Sequence, residues 1–336
     1  MAVVAVKRIR GSVQDAVSEA MELADWRQHL DLARPVLLKP NLGWDNFLPG
    51  AVTSPSVMEA VIRVLQPHCR DLRVVEADQV LVQCAKAFRQ TRLDRVCQRY
   101  GVPFVNLSHE PMVTVDLGGE VFPQIRLPKL LLDGSIVTVP VMKTHDKTVI
   151  TGALKNQWGC LDKARHMYHL VVSQAIVELN LALRPKFAVM DATISLDGNG
   201  PKSGRPRVTD LVLSSGDMVA LDSVAARLMG FDPAEIEHIS LAGRAGLGSA
   251  ERERIHLVGD PVEQVNFAFR RARSNLVSVV ERRLRRSKYK RFFFEGPLFW
   301  LACRGALVFY FFWYNLIGRK LKNQILAHPL YGPQWR

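Results

Sequence analysis

The densest group of chemically capable side chains in the sequence lies between residues 143 and 156. Lys143 and His145 belong to the run Lys143-Thr144-His145, and Lys155-Asn156 follows a segment rich in threonine and glycine. Lysine ammonium groups and backbone N–H groups at a helix start hold anions, and an imidazole exchanges protons near neutral pH. We therefore expect Lys143 and Lys155 to neutralise an anionic or carbonyl-containing substrate while His145 moves a proton. The alternative interpretation is that Lys143 and Lys147 are solvated loop residues and His145 is a capping or core histidine.

Other polar residues extend this candidate site. Arg165 and His169 are four residues apart, so they share one face of a predicted helix. Asp191 and Asp197 are suited to act as an acid and base pair or as oxygen ligands of a divalent metal ion, whereas the turn after Asp197 is equally explained by its backbone alone. The predicted catalytic residues are Lys143, His145, Lys155, His169 and Asp191, the predicted substrate-binding residues are Lys39, Asn41, Asn156, Arg165 and Asn199, and the predicted metal ligands are Asp191 and Asp197.

Several familiar chemistries have no motif in this sequence. There is no Walker A loop, no G-x-G-x-x-G after a strand and no G-x-S-x-G, so the usual nucleotide-dependent and serine-hydrolase sites are not expected. The five cysteines are dispersed and never form C-x-x-C. This spacing favours reduced thiols in a cytosolic compartment and predicts neither a zinc site nor an iron–sulfur cluster.

The elements that must position these residues alternate along residues 1–269. Short β-branched runs are separated by amphipathic stretches of helical length, which predicts an α/β fold with a mostly parallel, doubly wound sheet and helices on both faces. A hairpin is expected between Met112 and Gln124. Predicted strands are Val3–Val6, Val36–Lys39, Leu72–Glu76, Pro103–Asn106, Ile136–Pro140, Phe187–Asp191, Val208–Ser214 and Ile255–Val258; predicted helices are Ser12–Leu30, one capped by Thr53 or Ser54, Arg165–Leu183 and Asp217–Gly230.

Polar clusters follow five of the predicted strands. In open α/β sheets ligands bind outside the carboxyl ends of strands, so these clusters are expected to line one cleft. The clusters are Pro40-Asn41, Asp78, Lys143 to Lys147, Asp191 with Asp197 to Pro201, and Ser215 to Asp217.

The charge of the protein is confined to its C-terminal part. Residues 270–336 contain fifteen Lys plus Arg and two acids, whereas residues 1–269 carry equal numbers of both signs, so the tail accounts for the whole net charge of +13. We therefore predict two regions, an α/β domain over 1–269 and a basic tail over 270–336. Between Phe269 and Arg291 the single acid is Glu281.

An aromatic and apolar run follows the basic segment. Pro297 to Ile317 spans 21 residues, long enough to cross a bilayer. Arg304 near its centre and basic residues on both sides favour a helix lying in the interface on the cytoplasmic face over one that spans the bilayer. The expected partner is a membrane surface or an integral membrane protein, and the alternative is a buried helix hairpin. Nucleic acid explains the arginines but not the phenylalanines beside them.

The ordered series of motifs resembles the domain of unknown function family number 362. The resemblance covers about residues 35 to 250 and implies an α/β domain with a cleft built from the Lys-Pro-Asn, Lys-Thr-His and Lys-Asn segments; it implies no reaction. The motifs are Lys39-Pro40-Asn41-Leu42-Gly43, Thr53-Ser54-Pro55, Val139 to His145, Thr151 to Asn156, Asp197 to Pro201 and Ala220 to Gly230.

Two cofactor expectations follow from family resemblance. Many members of this family carry a ferredoxin module with clustered cysteines, which this sequence lacks, so no iron–sulfur cluster is expected. The Lys143-Thr144-His145 strand with Lys155 downstream is also distantly similar to the domain of nickel-dependent lactate racemase that holds a pyridine-derived nickel cofactor.

These observations favour a membrane-associated α/β enzyme acting on a small anionic or carbonyl-containing substrate, which is lipid-linked in one version of the hypothesis. The rival hypothesis is a non-catalytic adaptor or ligand-binding protein that docks on the membrane through residues 270–336. Racemase-like nickel chemistry is a further alternative, by analogy alone.

Overall fold

The computed structural model describes residues 1–273, 276–285, 287, 294 and 298–336. Its strands are β1 (Ala2–Arg8), β2 (Val36–Pro40), β3 (Leu72–Glu76), β4 (Phe104–Asn106), β5 (Met112–Asp116), β6 (Gln124–Pro128), β7 (Ser135–Val139), β8 (Val141–His145), β9 (Val149–Ile150), β10 (Phe187–Asp197), β11 (Arg205–Ser215) and β12 (Ile255–Gly259). Its α-helices are α1 (Val13–Leu23), α2 (Trp26–His29), α3 (Pro55–Leu65), α4 (Cys84–Gln90), α5 (Leu93–Tyr100), α6 (Lys129–Asp133), α7 (Gly152–Asn156), α8 (Val172–Leu183), α9 (Met218–Met229), α10 (Glu237–Arg244), α11 (Leu276–Arg285), α12 (Leu298–Trp313) and α13 (Arg319–Leu326).

A large mixed sheet forms the centre of the protein. Eight strands follow the order β12-β1-β11-β10-β7-β2-β3-β4, while β8 pairs with the second half of β10 and with β9. Along this order β11 runs antiparallel to both of its neighbours, and the other pairs are parallel. The predicted mostly parallel sheet is therefore confirmed. The predicted hairpin is also present, as β5 paired with β6.

Helices cover both faces of this sheet, as the hydrophobic pattern predicts. Val17 of α1 and Val61 of α3 belong to the apolar cluster on one face, and Ile176 of α8 and Leu221 of α9 belong to the cluster on the other face. Strands buried on both faces contain few polar positions. A polar side chain inside such a strand, such as Lys39 or Lys143, therefore needs a specific partner or a ligand.

We call the region at the carboxyl ends of the adjacent strands β2 and β7 the cleft, and the chain connections leave these two strands in opposite directions. From β2 the chain continues through α3 to β3 on one side, and from β7 it continues through β8 and α8 to β10 on the other side. Such a switch point leaves a crevice at the carboxyl ends of the two strands. Pro140 interrupts the strand between β7 and β8 and accepts a hydrogen bond from the Asp191 backbone at 2.8 Å.

Three sequence expectations need correction. The predicted helix Ser12–Leu30 is two helices, because Asp25 between them has a φ of 49°. The predicted helix Arg165–Leu183 is a 3₁₀ segment, Lys163–Val171, followed by α8, so the i, i+4 face assumed for Arg165 and His169 does not apply. The cluster Ser215 to Asp217 lies at the opposite edge of the sheet, since β11 is antiparallel and Ser215 pairs with Ala188 at the start of β10.

The C-terminal helices pack along the α/β domain. A π-helical turn, Tyr314–Gly318, joins α12 to α13, and the helix Phe299–Leu326 is long and apolar enough by length and composition to cross a membrane, with 11% of its most apolar stretch buried. The Trp44 ring lies 5.6 Å from the Tyr314 ring. Of the predicted tail, residues 274–275, 286, 288–293 and 295–297 fall outside the described residues, so part of the expected basic segment and Pro297 are not covered.

Candidate functional site

Lys39 in β2 forms a buried ion pair below the cleft. Its Nζ lies 2.6 Å from Glu76 Oε2 at the end of β3, and both side chains are almost completely inaccessible. Gly159 covers this pair so closely that a Cβ there would lie 2.6 Å from both the Lys39 Nζ and the Glu76 carboxylate. Because Glu76 already neutralises its ammonium group, Lys39 contributes to the frame of the site.

Asn41 and Asn156 connect the segments that line the cleft. Asn41 Nδ2 donates to Asn156 Oδ1 at 3.0 Å, while Asn156 Nδ2 donates to Thr138 Oγ1 at 2.7 Å and to the Lys39 carbonyl at 3.0 Å. These bonds satisfy both buried amides. The two asparagines therefore fix α7 against the ends of β2 and β7.

Lys143 of β8 ends in this amide network. Its Nζ donates to Asn41 Oδ1 at 2.8 Å and to the Ala51 carbonyl at 2.6 Å. Burial, together with the positive charges of Lys155 and Lys202, lowers the pKa of Lys143 to about 7. No carboxylate of the described residues forms an ion pair with this ammonium group.

Lys155 of α7 is the side chain in the cleft that most clearly lacks a partner. It is 9% exposed, and its Nζ makes no hydrogen bond or ion pair with any described residue. The Nζ lies over the Trp158 ring, 5.5 Å from its centroid. Burial lowers the pKa of Lys155 to about 7, and the pull of Asp146 in the opposite direction is insufficient to restore it.

Lys202 is a third lysine of the cleft, and it is not among the predicted site residues. It follows the turn after β10, and its Nζ lies over the Tyr310 ring of α12 at 5.4 Å. Burial lowers the pKa of Lys202 to about 8. The Lys202 charge acts on Lys143, so the cleft gathers lysines from β8, α7 and this turn.

His145 at the end of β8 is held as a neutral imidazole. Its Nδ1 accepts a hydrogen bond from the Lys147 backbone N–H at 3.0 Å, so the neutral ring carries its proton on Nε2. Burial lowers the pKa of His145 well below its usual range, and the charges of Lys155 and Lys147 add to this effect. At neutral pH the ring therefore offers an N–H donor.

His169 pairs with an acid from the tail. Its Nδ1 lies 2.8 Å from Glu281 Oε1 in α11, and Glu281 Oε2 lies 2.9 Å from Lys147 Nζ. The His169 ring also stacks on Trp158 at 6.4 Å. Although burial raises the pKa of Glu281, the hydrogen bond from His169 and the Lys147 charge lower it overall, so the carboxylate is ionised at neutral pH.

The comparison with known proteins identifies the family of this chain. The sequence matches the family described as Domain of unknown function (DUF362) over residues 36–227, which is more than half of the chain. The chain belongs to this family. The match includes the Lys-Pro-Asn, Lys-Thr-His and Lys-Asn segments, so the earlier resemblance is confirmed.

The DUF362 protein is also similar to one curated relative. It is 29% identical over 247 residues to a thylakoid-associated protein of Synechocystis, an alignment that covers 68% of this chain and 74% of the relative. No solved structure matches the chain.

Arg165 of the DUF362 region is bound by backbone carbonyl groups. Its guanidinium donates to the carbonyls of Trp158 at 2.7 Å, Leu161 at 3.0 Å and Asp78 at 2.9 Å. It thereby joins the turn after α7 to the loop after β3, beside a cavity of about 400 Å³ that Asp78 and Leu161 help to line. Burial lowers the pKa of Arg165.

Three predicted site residues accept hydrogen bonds from the chain itself: Asp191, Asp197 and Asn199. The Asp191 carboxylate accepts from the Ser54 backbone at 2.8 Å and from Thr193 Oγ1 at 2.6 Å, which fixes the start of α3. Asp197 Oδ1 accepts from the Arg270 backbone at 2.7 Å, and Asn199 Oδ1 accepts from the Arg273 backbone at 3.0 Å. Within the described part of the chain, no group of three or more His, Cys, Asp and Glu side chains is arranged to hold a metal ion.

Asp222 of α9 fixes the start of α7, the helix that carries Lys155. Its carboxylate accepts from the Ala153 and Leu154 backbone N–H groups at 2.5 and 3.0 Å, at the first turn of α7. Burial raises the pKa of Asp222 to about 7. A carboxylate inside an apolar helix was the sequence signal for this role, because such a group needs donors from a neighbouring element.

Proposed function

We propose that this DUF362 protein binds a small anionic substrate in the cleft between Lys143, Lys155 and Lys202 and acts on it as an enzyme at the cytoplasmic face of a membrane. The observation that carries the proposal is Lys155, whose side chain is 9% exposed and whose Nζ has neither a hydrogen bond nor an ion pair among the described residues. A buried charge without a counter-charge is costly, and an anion would remove that cost.

The electrostatics of the cleft supports an anion over a cation. Lys143, Lys155 and Lys202 all have pKa values lowered towards neutrality by burial. A bound phosphate or carboxylate group would stabilise their protonated forms and raise these pKa values. Glu76 and Glu281 are engaged with Lys39 and Lys147, and Asp146, the carboxylate that acts on Lys155, lies 3.7 Å from Lys147 Nζ.

The same groups supply the polar contacts to the substrate. Because its pKa is near 7, Lys155 takes up a proton at neutral pH when an anion binds, so it contacts the anion as an ammonium group. The neutral His145 ring donates through Nε2–H and would polarise a substrate carbonyl or anionic oxygen. Asn41 and Asn156 hold the surrounding segments in place. We therefore propose His145 as a hydrogen-bond donor to the substrate and Lys155 as the cationic contact for its anionic group.

Membrane association is supported by two independent observations. The relative in Synechocystis is thylakoid-associated, and the helix Phe299–Leu326 is long, apolar and mostly exposed. Basic residues before and after this helix favour the cytoplasmic face.

Calorimetric titration with inorganic phosphate tests the anion site. We expect Lys155→Met and Lys202→Met each to weaken phosphate binding about tenfold or more, since each removes a charge-assisted contact. Lys186→Met is the matched control, because Lys186 is exposed and directly precedes β10 at the opposite edge of the sheet. Equal binding by wild type and both cleft variants would contradict the proposal.

A non-catalytic membrane adaptor is the second candidate, favoured by the exposed apolar face of α12. Cellular complementation separates the two functions. An enzyme loses function with His145→Gln or Lys155→Met, whereas an adaptor keeps it with both changes and loses it when residues 270–336 are removed.

A further inference from the structure

The helix formed by α12, the π turn and α13 presents an apolar face to solvent. Phe311 is 61% exposed and Leu316 is 76% exposed, which is unusual for such large apolar side chains on a soluble protein. The exposed apolar residues of this outer face are Leu301, Val308, Phe311, Phe312 and Leu316.

The opposite face of this helix is attached to the α/β domain along its length. The Tyr310 and Tyr314 rings pack on Trp44, and the Tyr314 hydroxyl donates to the Phe47 carbonyl at 2.8 Å. Ile325 of α13 is buried in the core cluster on that face of the sheet. A helix held lengthwise against a polar domain cannot cross a bilayer without drawing that domain into the hydrocarbon, so this attachment favours an orientation parallel to the membrane.

A second apolar patch lies beside α12 and belongs to the DUF362 region. In the 3₁₀ segment, Met167 and Leu170 are about half exposed. The neighbouring His166 stacks on Phe299 at 4.3 Å, which places the start of α12 against this segment. The patch therefore continues the outer face of α12 onto the domain that carries the cleft.

The charged side chains of the C-terminal segment are of one sign. Between residues 296 and 336 the sequence contains Arg and Lys but no Asp or Glu. Arg319 and Lys320 are exposed, and the Arg304 guanidinium lies over the Trp300 ring at 4.7 Å. Basic residues beside exposed aromatic and aliphatic side chains match an anionic lipid surface, at about 1 kcal/mol for each basic residue near the headgroups.

We propose that the outer face of α12 and the Met167–Leu170 patch together dock on an anionic bilayer, with α12 lying in the plane of the membrane. This inference rests on the membrane association of the proposed function and deepens it, and it is independent of the anion site. Docking brings His166, which stacks on Phe299, close to the lipid headgroups.

Vesicle flotation of the full chain tests the partner. We expect binding to vesicles of phosphatidylcholine and phosphatidylglycerol in a 7:3 ratio, and much weaker binding to phosphatidylcholine alone. Phe311→Asp with Leu316→Asp, and separately Met167→Asp with Leu170→Asp, should each reduce binding about tenfold or more. Leu23→Asp is the matched control, because Leu23 is 44% exposed at the end of α1. Binding unaffected by both double variants, or self-association through this face without vesicle binding, overturns the proposal.

Spin labels measure the orientation of the helix in the vesicles. Labels at Leu301, Val308, Phe312 and Leu316 should report immersion depths that agree within a few ångströms, in a background lacking the two partly accessible thiols, Cys69 and Cys303. A spanning helix would give a depth difference of about 22 Å between the first and last label. Such a progression along the helix overturns the in-plane orientation.

Discussion

The Lys143 ammonium group donates to Asn41 Oδ1 at 2.8 Å, across 102 positions of sequence. This bond joins the Lys-Thr-His strand to the Lys-Pro-Asn segment. The Asn41 amide in turn donates a hydrogen bond to Asn156. Three separated motifs of the family thereby form one buried network. Its stability and its charge can be tested separately.

Replacing Asn41 tests the network. Asn41→Ala removes acceptors and donors from buried partners, and we expect it to lower the free energy of unfolding by about 1 to 3 kcal/mol. Urea denaturation measures this loss. Asn323→Ala is the control, since Asn323 is exposed on α13 and should change stability little. Equal stability of the two variants would show that the network contributes nothing.

The Lys39–Glu76 pair should respond differently to single and double replacement. Lys39→Met leaves the Glu76 carboxylate buried without its partner and should destabilise the fold by about 3 to 5 kcal/mol. Lys39→Met with Glu76→Leu should recover most of this loss, because neither charge remains. Denaturation of both variants gives the comparison, and a double variant less stable than the single one argues against the assignment.

Burial of Lys155 should make stability rise with pH. Its pKa is about 7 in the folded protein against an ordinary value of 10.5, so between these values the unfolded chain binds a proton that the folded chain does not. The free energy of unfolding therefore increases from pH 7 towards pH 10, and Lys155→Met should flatten this increase. If the free energy of unfolding depends on pH in the same way in wild type and in the variant, Lys155 is exposed to solvent in the folded protein.

The contacts of Glu281 should keep α11 packed on the domain and slow its cleavage by trypsin. It accepts from His169 and Lys147, and Arg285 Nε donates to it at 2.9 Å. Glu281→Gln weakens all three interactions, so trypsin should cleave after Arg285 several-fold faster. In Glu237→Gln, a change at an exposed position in α10, the cleavage rate should stay that of wild type. An unchanged rate in Glu281→Gln would mean that these bonds do not secure the helix.

Gly152 should be less replaceable than Gly101, although both have a positive φ. The values are +61° and +64°, but a Cβ at Gly152 would overlap the Asp222 carboxylate, whereas one at Gly101 meets nothing within 4 Å. Gly101→Ala should cost about 1 to 2 kcal/mol from backbone strain alone. Thermal or urea unfolding should show a larger loss for Gly152→Ala, and equal losses would mean that α7 shifts freely above Asp222.

The convergence of Asn41, Lys143 and Asn156 could be predicted from sequence because polar residues interrupt strands that are otherwise apolar. Lys39, Asn41 and Lys143 stand at or just after the ends of such strands. The prediction that the end of β11 lies at the cleft was wrong, because a hydrophobic pattern carries no information on strand direction. The signal was the connection after β10, since the seven residues between Asp197 and Arg205 are too few for a parallel crossover.

Two cleft residues escaped the sequence analysis for a physical reason. Lys202 lies in a turn whose glycines and proline explain its backbone. Nothing in the local sequence therefore shows that the Lys202 charge lowers the pKa of Lys143. Glu281 stands out only as a single acid in a basic segment, and its partners His169 and Lys147 lie more than 100 positions away. Long-range pairs of this kind depend on the fold.

The central claim, that the three lysines receive an anion, is tested most directly by anomalous diffraction from a crystal of the full chain soaked in tungstate. We expect an anomalous peak within hydrogen-bond reach of Lys155 Nζ, on the side shared with Lys143 and Lys202, and its loss in Lys155→Met. A cleft without a peak, with Lys155 Nζ bonded to a carboxylate of the chain itself, would contradict the account.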